Sequence, residues 1–234
     1  MQPHYLLFDL DGTITDPASG IIGSVIHALV TLGVEVPDFE ALHWTIGPPL
    51  RSSFRRLLGG DERVEQALDV YRSRYRDGAM FEATLYEGIA ETIAALDAQG
   101  YTLVLATSKP HVFARPILAH FALDHHFTAI HGSELDGRRD DKGELIGHIL
   151  AVERIDPACA LMVGDREYDV KGAARHGIGT IGVLWGHGGE AELGEAGVLA
   201  LCREPQDLCE LIAEKLPFPG TPSPAGICAS QFRR

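Results

Sequence analysis

Four apolar residues in succession, Tyr5-Leu6-Leu7-Phe8, run straight into Asp9-Leu10-Asp11-Gly12-Thr13. An unbroken apolar run bounded by turn residues reads as a strand buried on both faces, as in the centre of a parallel sheet. Two acids then stand two positions apart where that strand runs out. In an open α/β sheet, ligands bind outside the carboxyl ends of the strands. Carboxylates placed there are costly unless a cation or a partner holds them. Asp-x-Asp is also a common loop pair, so segments further along decide between a turn and a site.

From Ser19 to about Met80 the pattern is helical, with no strand. Asp16-Pro17 has the form of an N-cap followed by proline at the first helical position. Ile21, Ile22, Val25, Ile26, Leu29 and Val30 then keep helical spacing up to Gly33. A short helix is expected up to Trp44, with Gly47-Pro48-Pro49 breaking it. Another is expected from Leu50 to Leu58, and Val64, Ala67, Leu68, Tyr71 and Tyr75 mark a longer amphipathic one. Beyond residue 86, helices and short apolar strands alternate. Strands are expected at 102–106, 127–131, 160–163, 180–184 and 198–201, and Pro116 predicts a kink or a late start in the helix after the second strand. Such alternation indicates an α/β fold, a doubly wound parallel sheet with an inserted helical domain. The expected division is a core of residues 1–15 and 87–216, a helical cap of residues 16–86 and a flexible tail of residues 217–234. The tail is rich in proline, glycine and serine.

The formal net charge of -13 argues against a nucleic-acid polymer as partner, because phosphate backbones would be repelled. Cys159, Cys202, Cys209 and Cys228 form no Cys-x-x-Cys pair, which points to reduced thiols rather than zinc or disulfides. No stretch reaches the ~18 apolar residues of a membrane span. A cytoplasmic, soluble protein is expected, and nothing in the sequence sets an oligomeric state.

Three later strand ends also carry polar residues: Thr107-Ser108-Lys109, Lys142 in the loop before a helix around Leu145, and Gly164-Asp165-Arg166-Glu167-Tyr168-Asp169. Singly, each has an ordinary explanation as a cap, a solvated charge or a turn. Together they would converge on one crevice of one sheet. Asp9, Asp11, Asp165 and Asp169 would then repel one another without a divalent cation, and hard carboxylate oxygens suit magnesium. Lys142 and the Thr107 hydroxyl supply donors for phosphoryl oxygens. Gly186-His187-Gly188-Gly189 lacks the spacing of a dinucleotide loop and reads as a turn.

In order and spacing, Asp9-x-Asp11-Gly12-Thr13, Thr107-Ser108, Lys142 and Gly164-Asp165-x-x-x-Asp169 resemble the four signature motifs of the haloacid dehalogenase superfamily. The helical insert between the first two motifs resembles that superfamily's helical-cap subclass, and Asp11 its phosphatases and phosphomutases. The resemblance implies a Rossmann-like core in which Asp9 is the nucleophile that forms an aspartyl-phosphate and Asp11 the acid and base. It implies that Asp9, the main-chain carbonyl of Asp11 and Asp165 hold Mg2+, with Asp169 acting through water or from behind. Thr107 and the Ser108 amide would bind the phosphoryl group, and Lys142 would neutralise Asp9 and phosphate together.

The implied partner is a small phosphorylated metabolite. Ile46-Gly47-Pro48-Pro49-Leu50-Arg51, Lys109 and Arg166 resemble features of the phosphoglycolate phosphatase and 5′-nucleotidase branch, with the nucleotidase ahead. Tyr168 departs from the usual phosphoglycolate phosphatase form of the fourth motif. Arg51, Lys109 and Arg166 are therefore candidate substrate contacts, although Arg51 reads equally well as a solvated surface arginine. Trp44, Phe54 and Tyr71 could stack on a base, but their helical spacing favours core packing. A sugar phosphomutase, a phosphorylatable signalling module and an idle binding protein are the lesser readings.

Overall fold

The computed structural model describes residues 4–217. Its strands are β1 (Tyr5–Phe8), β2 (Thr15–Asp16), β3 (Thr84–Leu85), β4 (Thr102–Pro110), β5 (Phe127–Ser133), β6 (Ala160–Gly164), β7 (Gly179–Val183) and β8 (Ala200–Cys202). The α-helices are α1 (Ala18–Thr31), α2 (Leu50–Leu58), α3 (Val64–Arg76), α4 (Ile89–Ala98), α5 (His111–His120), α6 (Lys142–Glu153), α7 (Glu167–Ala174), α8 (Glu190–Glu195) and α9 (Leu208–Lys215). Six strands form one sheet in the order β5-β4-β1-β6-β7-β8, and its ladders are parallel. From β1 the chain builds outward through β4 and β5, then crosses to β6 on the other flank. That reversal puts a topological switch point beside β1, where open α/β sheets bind ligands.

The opening apolar run is explained by this position. Leu6 and Phe8 face a cluster with Leu103, Leu105, Leu161, Val163 and residues of α4, α5 and α9. Leu7 faces the opposite cluster, with Val104, Ala106, Met162 and residues of α6 and α7. Both faces of β1 are thus covered, and apolar side chains occupy both.

The insert has an apolar centre of its own. Ile22, Val25 and Leu29 of α1, Phe54 of α2 and Leu68, Tyr71 and Tyr75 of α3 pack together, and Phe113 of α5 joins them from the sheet side. β2 and β3 pair antiparallel, Thr15 with Leu85, where the chain enters and leaves the insert.

Three local expectations are corrected. α5 begins at His111, so Pro116 lies inside it and the late start does not occur; burial of Phe113, Ala114, Ile117 and Leu118 holds the helix through the missing donor. β4 continues to Pro110, so Thr107-Ser108-Lys109 belong to the strand rather than to a loop after it. Lys142 is the first residue of α6, capped by Asp141, whose side chain accepts from the Glu144 amide at 2.8 Å. The tail expected from residue 217 lies, past its first residue, outside the described residues.

Candidate active site

At the end of β1 the Asp9 amide donates to the Val163 carbonyl at 2.9 Å, which ties this residue to β6. The chain then turns tightly: the amides of Thr13, Ile14 and Thr15 all converge on the Leu10 carbonyl. Gly12 sits at φ +83°, and a Cβ there would lie 2.1 Å from Asp165 Oδ2. Only glycine satisfies both the backbone and the close approach.

Asp165 ends β6 and is fully buried. Its Oδ2 accepts from the His187 amide at 2.8 Å, whereas its Oδ1 is buried with no hydrogen-bond partner. Asp169, in the first turn of α7, accepts from the Arg166 amide at 3.1 Å, which satisfies that amide at the start of the helix. Asp9, Asp165 and Asp169 each offer a carboxylate oxygen, and these oxygens lie within 4.8 Å of one another. Lys142 reaches into this group. Its Nζ is 3.0 Å from Asp9 and 2.7 Å from Asp169, and it donates to the Ala106 carbonyl at 2.9 Å.

The charge balance is uneven. Burial, with Asp169 and Asp9 nearby, holds the Asp165 carboxyl well above the usual carboxylate range. Burial likewise raises Asp169 to about 6, against the pull of Lys142. Burial disfavours the Lys142 ammonium too, but Asp169 and Asp9 raise its pKa overall. Three buried carboxylates share one cation, and one carboxylate oxygen has no donor at all. A buried acceptor of that kind calls for an ion or water, and an all-oxygen donor set fits a hard divalent cation.

Asp11 faces the other way. Its Oδ2 is 2.9 Å from Lys109 Nζ, its Oδ1 has no partner, and burial raises its pKa against the pull of Lys109. Lys109 also donates to the Tyr75 hydroxyl at 2.6 Å, so α3 of the insert touches the pair. Asp9, Asp11, Thr107, Ser108 and Lys109 line one side of a cavity. Ile21, Gly47, Pro48, Leu50, Leu68, Tyr71 and Tyr75 line the side facing them. Thr107 is 1% exposed, and its Oγ1 accepts from the Lys109 amide at 3.2 Å.

The structure therefore gathers Asp9, Asp11, Thr107, Ser108, Lys109, Lys142, Asp165 and Asp169 about one crevice. The Asp11 carboxylate stands apart from the three-carboxylate group. Arg51 lines the cavity and is ion-paired with Glu65. Arg166 does not line it: its guanidinium points toward the Ile46 carbonyl and Glu192. Phe54 is core, whereas Tyr71 is both core and cavity wall.

Sequence reasoning missed the loop after β7. A Cβ at Gly186 would lie 2.2 Å from the Gly12 carbonyl oxygen, and one at Gly188 only 1.8 Å from that of Asp165. The segment read as a turn is the back wall of the carboxylate group. Its dense glycines were the available signal. Trp185 Nε1 closes the same wall by donating to the Thr13 carbonyl at 3.0 Å.

Residues 6–183 match a family model described as haloacid dehalogenase-like hydrolase. A 5′-nucleotidase of Pseudomonas aeruginosa is 50% identical over 80% of this chain and 86% of its own length. The tyrosine-protein kinase PtkA of Mycobacterium tuberculosis is 42% identical over 80% of this chain, which spans 64% of that protein. More distant relatives are named phosphoglycolate phosphatase, one from Pseudomonas fluorescens at 30% identity. Among solved structures, a predicted phosphatase from Clostridium acetobutylicum superposes with a TM-score of 0.87 at 40% identity, over 92% of this chain and all of that one. None of the helices among the described residues is long and apolar enough to cross a membrane.

Proposed function

The chain belongs to the haloacid dehalogenase-like hydrolase family and is a phosphatase by its relatives, and we propose that it hydrolyses nucleoside 5′-monophosphates with magnesium. The reading is carried by one observation: the buried carboxylate group and its lysine adjoin a cavity whose far wall is apolar and aromatic. The cations around that cavity are engaged already. Lys109 pairs with Asp11, Arg51 with Glu65, and Arg72 donates to the Leu135 carbonyl. A small substrate carboxylate, as in phosphoglycolate, would find no free partner among them, whereas a nucleoside suits Tyr71, Phe113, Leu68 and Pro48.

In this reading an Asp9 oxygen attacks phosphorus, the bond from phosphorus to the ester oxygen breaks, and an aspartyl-phosphate forms. Asp11 gives its proton to the departing nucleoside oxygen. It then takes a proton from the water that attacks the phosphoenzyme, which frees Asp9 and releases inorganic phosphate. Thr107 and the Ser108 amide orient the phosphoryl oxygens, and Lys142 holds the Asp9 carboxylate aimed. Magnesium would be held by the Asp9, Asp165 and Asp169 carboxylates and the Asp11 carbonyl, and when bound it neutralises phosphoryl charge.

The test is a phosphate-release screen over nucleoside 5′-monophosphates, sugar phosphates and phosphoglycolate, with Asp9→Asn and a chelator as controls. A nucleotide should lead phosphoglycolate in kcat/KM by at least about tenfold. Phosphoglycolate in the lead would reject the substrate class. Phosphate transfer from ATP to a tyrosine peptide in place of release to water would reject hydrolysis.

A further inference from the structure

Arg166 is built into the carboxylate loop but works outside it. Its amide donates to Asp169 Oδ2, so its backbone follows any movement of Asp165 and Asp169. The side chain, 13% exposed, leaves on the opposite side. There Nη1 donates to the Ile46 carbonyl at 2.5 Å and Nε to Glu192 Oε1 at 2.8 Å. The same Glu192 oxygen accepts from the Glu167 amide at 2.9 Å, so one carboxylate fixes both the guanidinium and the start of α7.

The insert is shaped to receive this arm. Gly47 adopts φ +100°, and a Cβ there would lie 3.0 Å from Arg166 Nη1. Pro48 and Pro49 follow, each with its φ held by the ring, and α2 starts at Leu50. Residues 47–51 all line the cavity. A grip on Ile46 is therefore passed through a stiff segment to Leu50 and Arg51. Tyr75 to Lys109 and Arg72 to the Leu135 carbonyl also tie the insert to the sheet domain, but from α3, and the His43 ring stacks on His187 just before the segment; among these ties Arg166 is the one that holds Ile46 itself.

We propose that Arg166 is a positioning residue that clasps the segment 46–51 to the carboxylate loop, and so sets the wall against which the substrate's leaving group lies. The role in catalysis rests on the phosphatase reading; the clasp itself does not. Substrate bound only by the clasped arrangement loses apparent affinity in proportion to the clasped fraction.

The experiment uses the full chain with Arg166→Met and, as a gentler second variant, Glu192→Gln. Hydrogen exchange should accelerate by about tenfold at the amides of Ile46, Ser52 and Ser53 in Arg166→Met, with the β1 amides unchanged. Their partners, the carbonyls of His43 and Pro49, lie within or beside the clasped segment. KM for a nucleoside 5′-monophosphate should rise by about tenfold with kcat within about twofold, while kcat/KM for methyl phosphate stays put. Glu192→Gln should shift the same readings less, and it carries the test if Arg166→Met does not fold. Unchanged exchange at residues 46–53 overturns the clasp, whatever the kinetics. A fall in kcat with KM unmoved overturns the positioning role and leaves Arg166 serving the carboxylate loop alone. Faster exchange in a chain whose wild type releases no phosphate sustains the clasp and rejects the phosphatase reading instead.

Discussion

The two walls of the cavity are held by different forces. On the sheet side, Asp9, Thr107 and Asp165 end or extend β1, β4 and β6, and β1 is laddered on both flanks. Their positions follow from main-chain hydrogen bonds that no side-chain change removes. On the insert side, Tyr71 and Tyr75 ride on a helix packed mainly against other helices, and residues 46–49 lie between helices. That wall meets the sheet domain through Phe113 and a handful of polar contacts. Under the proposed function, the groups that would act on phosphorus sit on the laddered sheet, and those that would meet the rest of the substrate sit where the fold can shift.

Substitutions can break this contrast or sharpen it. Asp9→Asn should abolish turnover, by on the order of 10⁴-fold or more in kcat, with an unchanged melting temperature. Asp11→Asn should cost ~10²–10⁴-fold in kcat, and a loss confined to KM would show that Asp11 binds rather than transfers protons. Phe54→Ala empties the centre of the insert and should cost about 3–5 kcal/mol in its unfolding. Turnover of methyl phosphate measured below the transition should survive that change; if it collapses with the insert, the two walls are not separable. Gly188→Ala pushes a methyl group into the Asp165 carbonyl and should weaken magnesium binding by about 10–100-fold in a calorimetric titration. Tyr75→Phe, the mildest, removes the oxygen that Lys109 donates to and should cost about 0.5–1.5 kcal/mol of stability, seen as a lower melting temperature.

The sheet wall was legible in the sequence because strand ends announce themselves. The apolar run at 5–8 stops at Asp9 and the run at 160–163 stops at Gly164 with Asp165 next, so both acids could be placed without any knowledge of contacts. Lys142 was placed one element too early, although Asp141 with Glu144 three residues later is a capping signal. The insert wall was harder to read. Helical spacing marks Tyr71 and Tyr75 as buried, but it does not separate a core face from a cavity face. The direction of the Arg166 side chain was hard to read for a related reason. Arg166 neighbours Asp165 in sequence, and its partner Ile46 is distant in sequence, so only the fold reveals which way the side chain turns. The Gly186–Gly189 loop was dismissed because it fits no nucleotide motif, when Gly186 and Gly188 answer to close packing on Asp165.

The central place of β1 also governs assembly. Tyr5 pairs with Thr102 on one flank and with Ala160 on the other, so β1 has both flanks laddered only once β6 is in place. A nascent chain must shelter this apolar ribbon until β6 is made, and such long-range closure slows folding and exposes the ribbon to aggregation. A ribosome-stalled product ending before β6 would lack one flank of that ribbon and the Val163 oxygen that fixes Asp9.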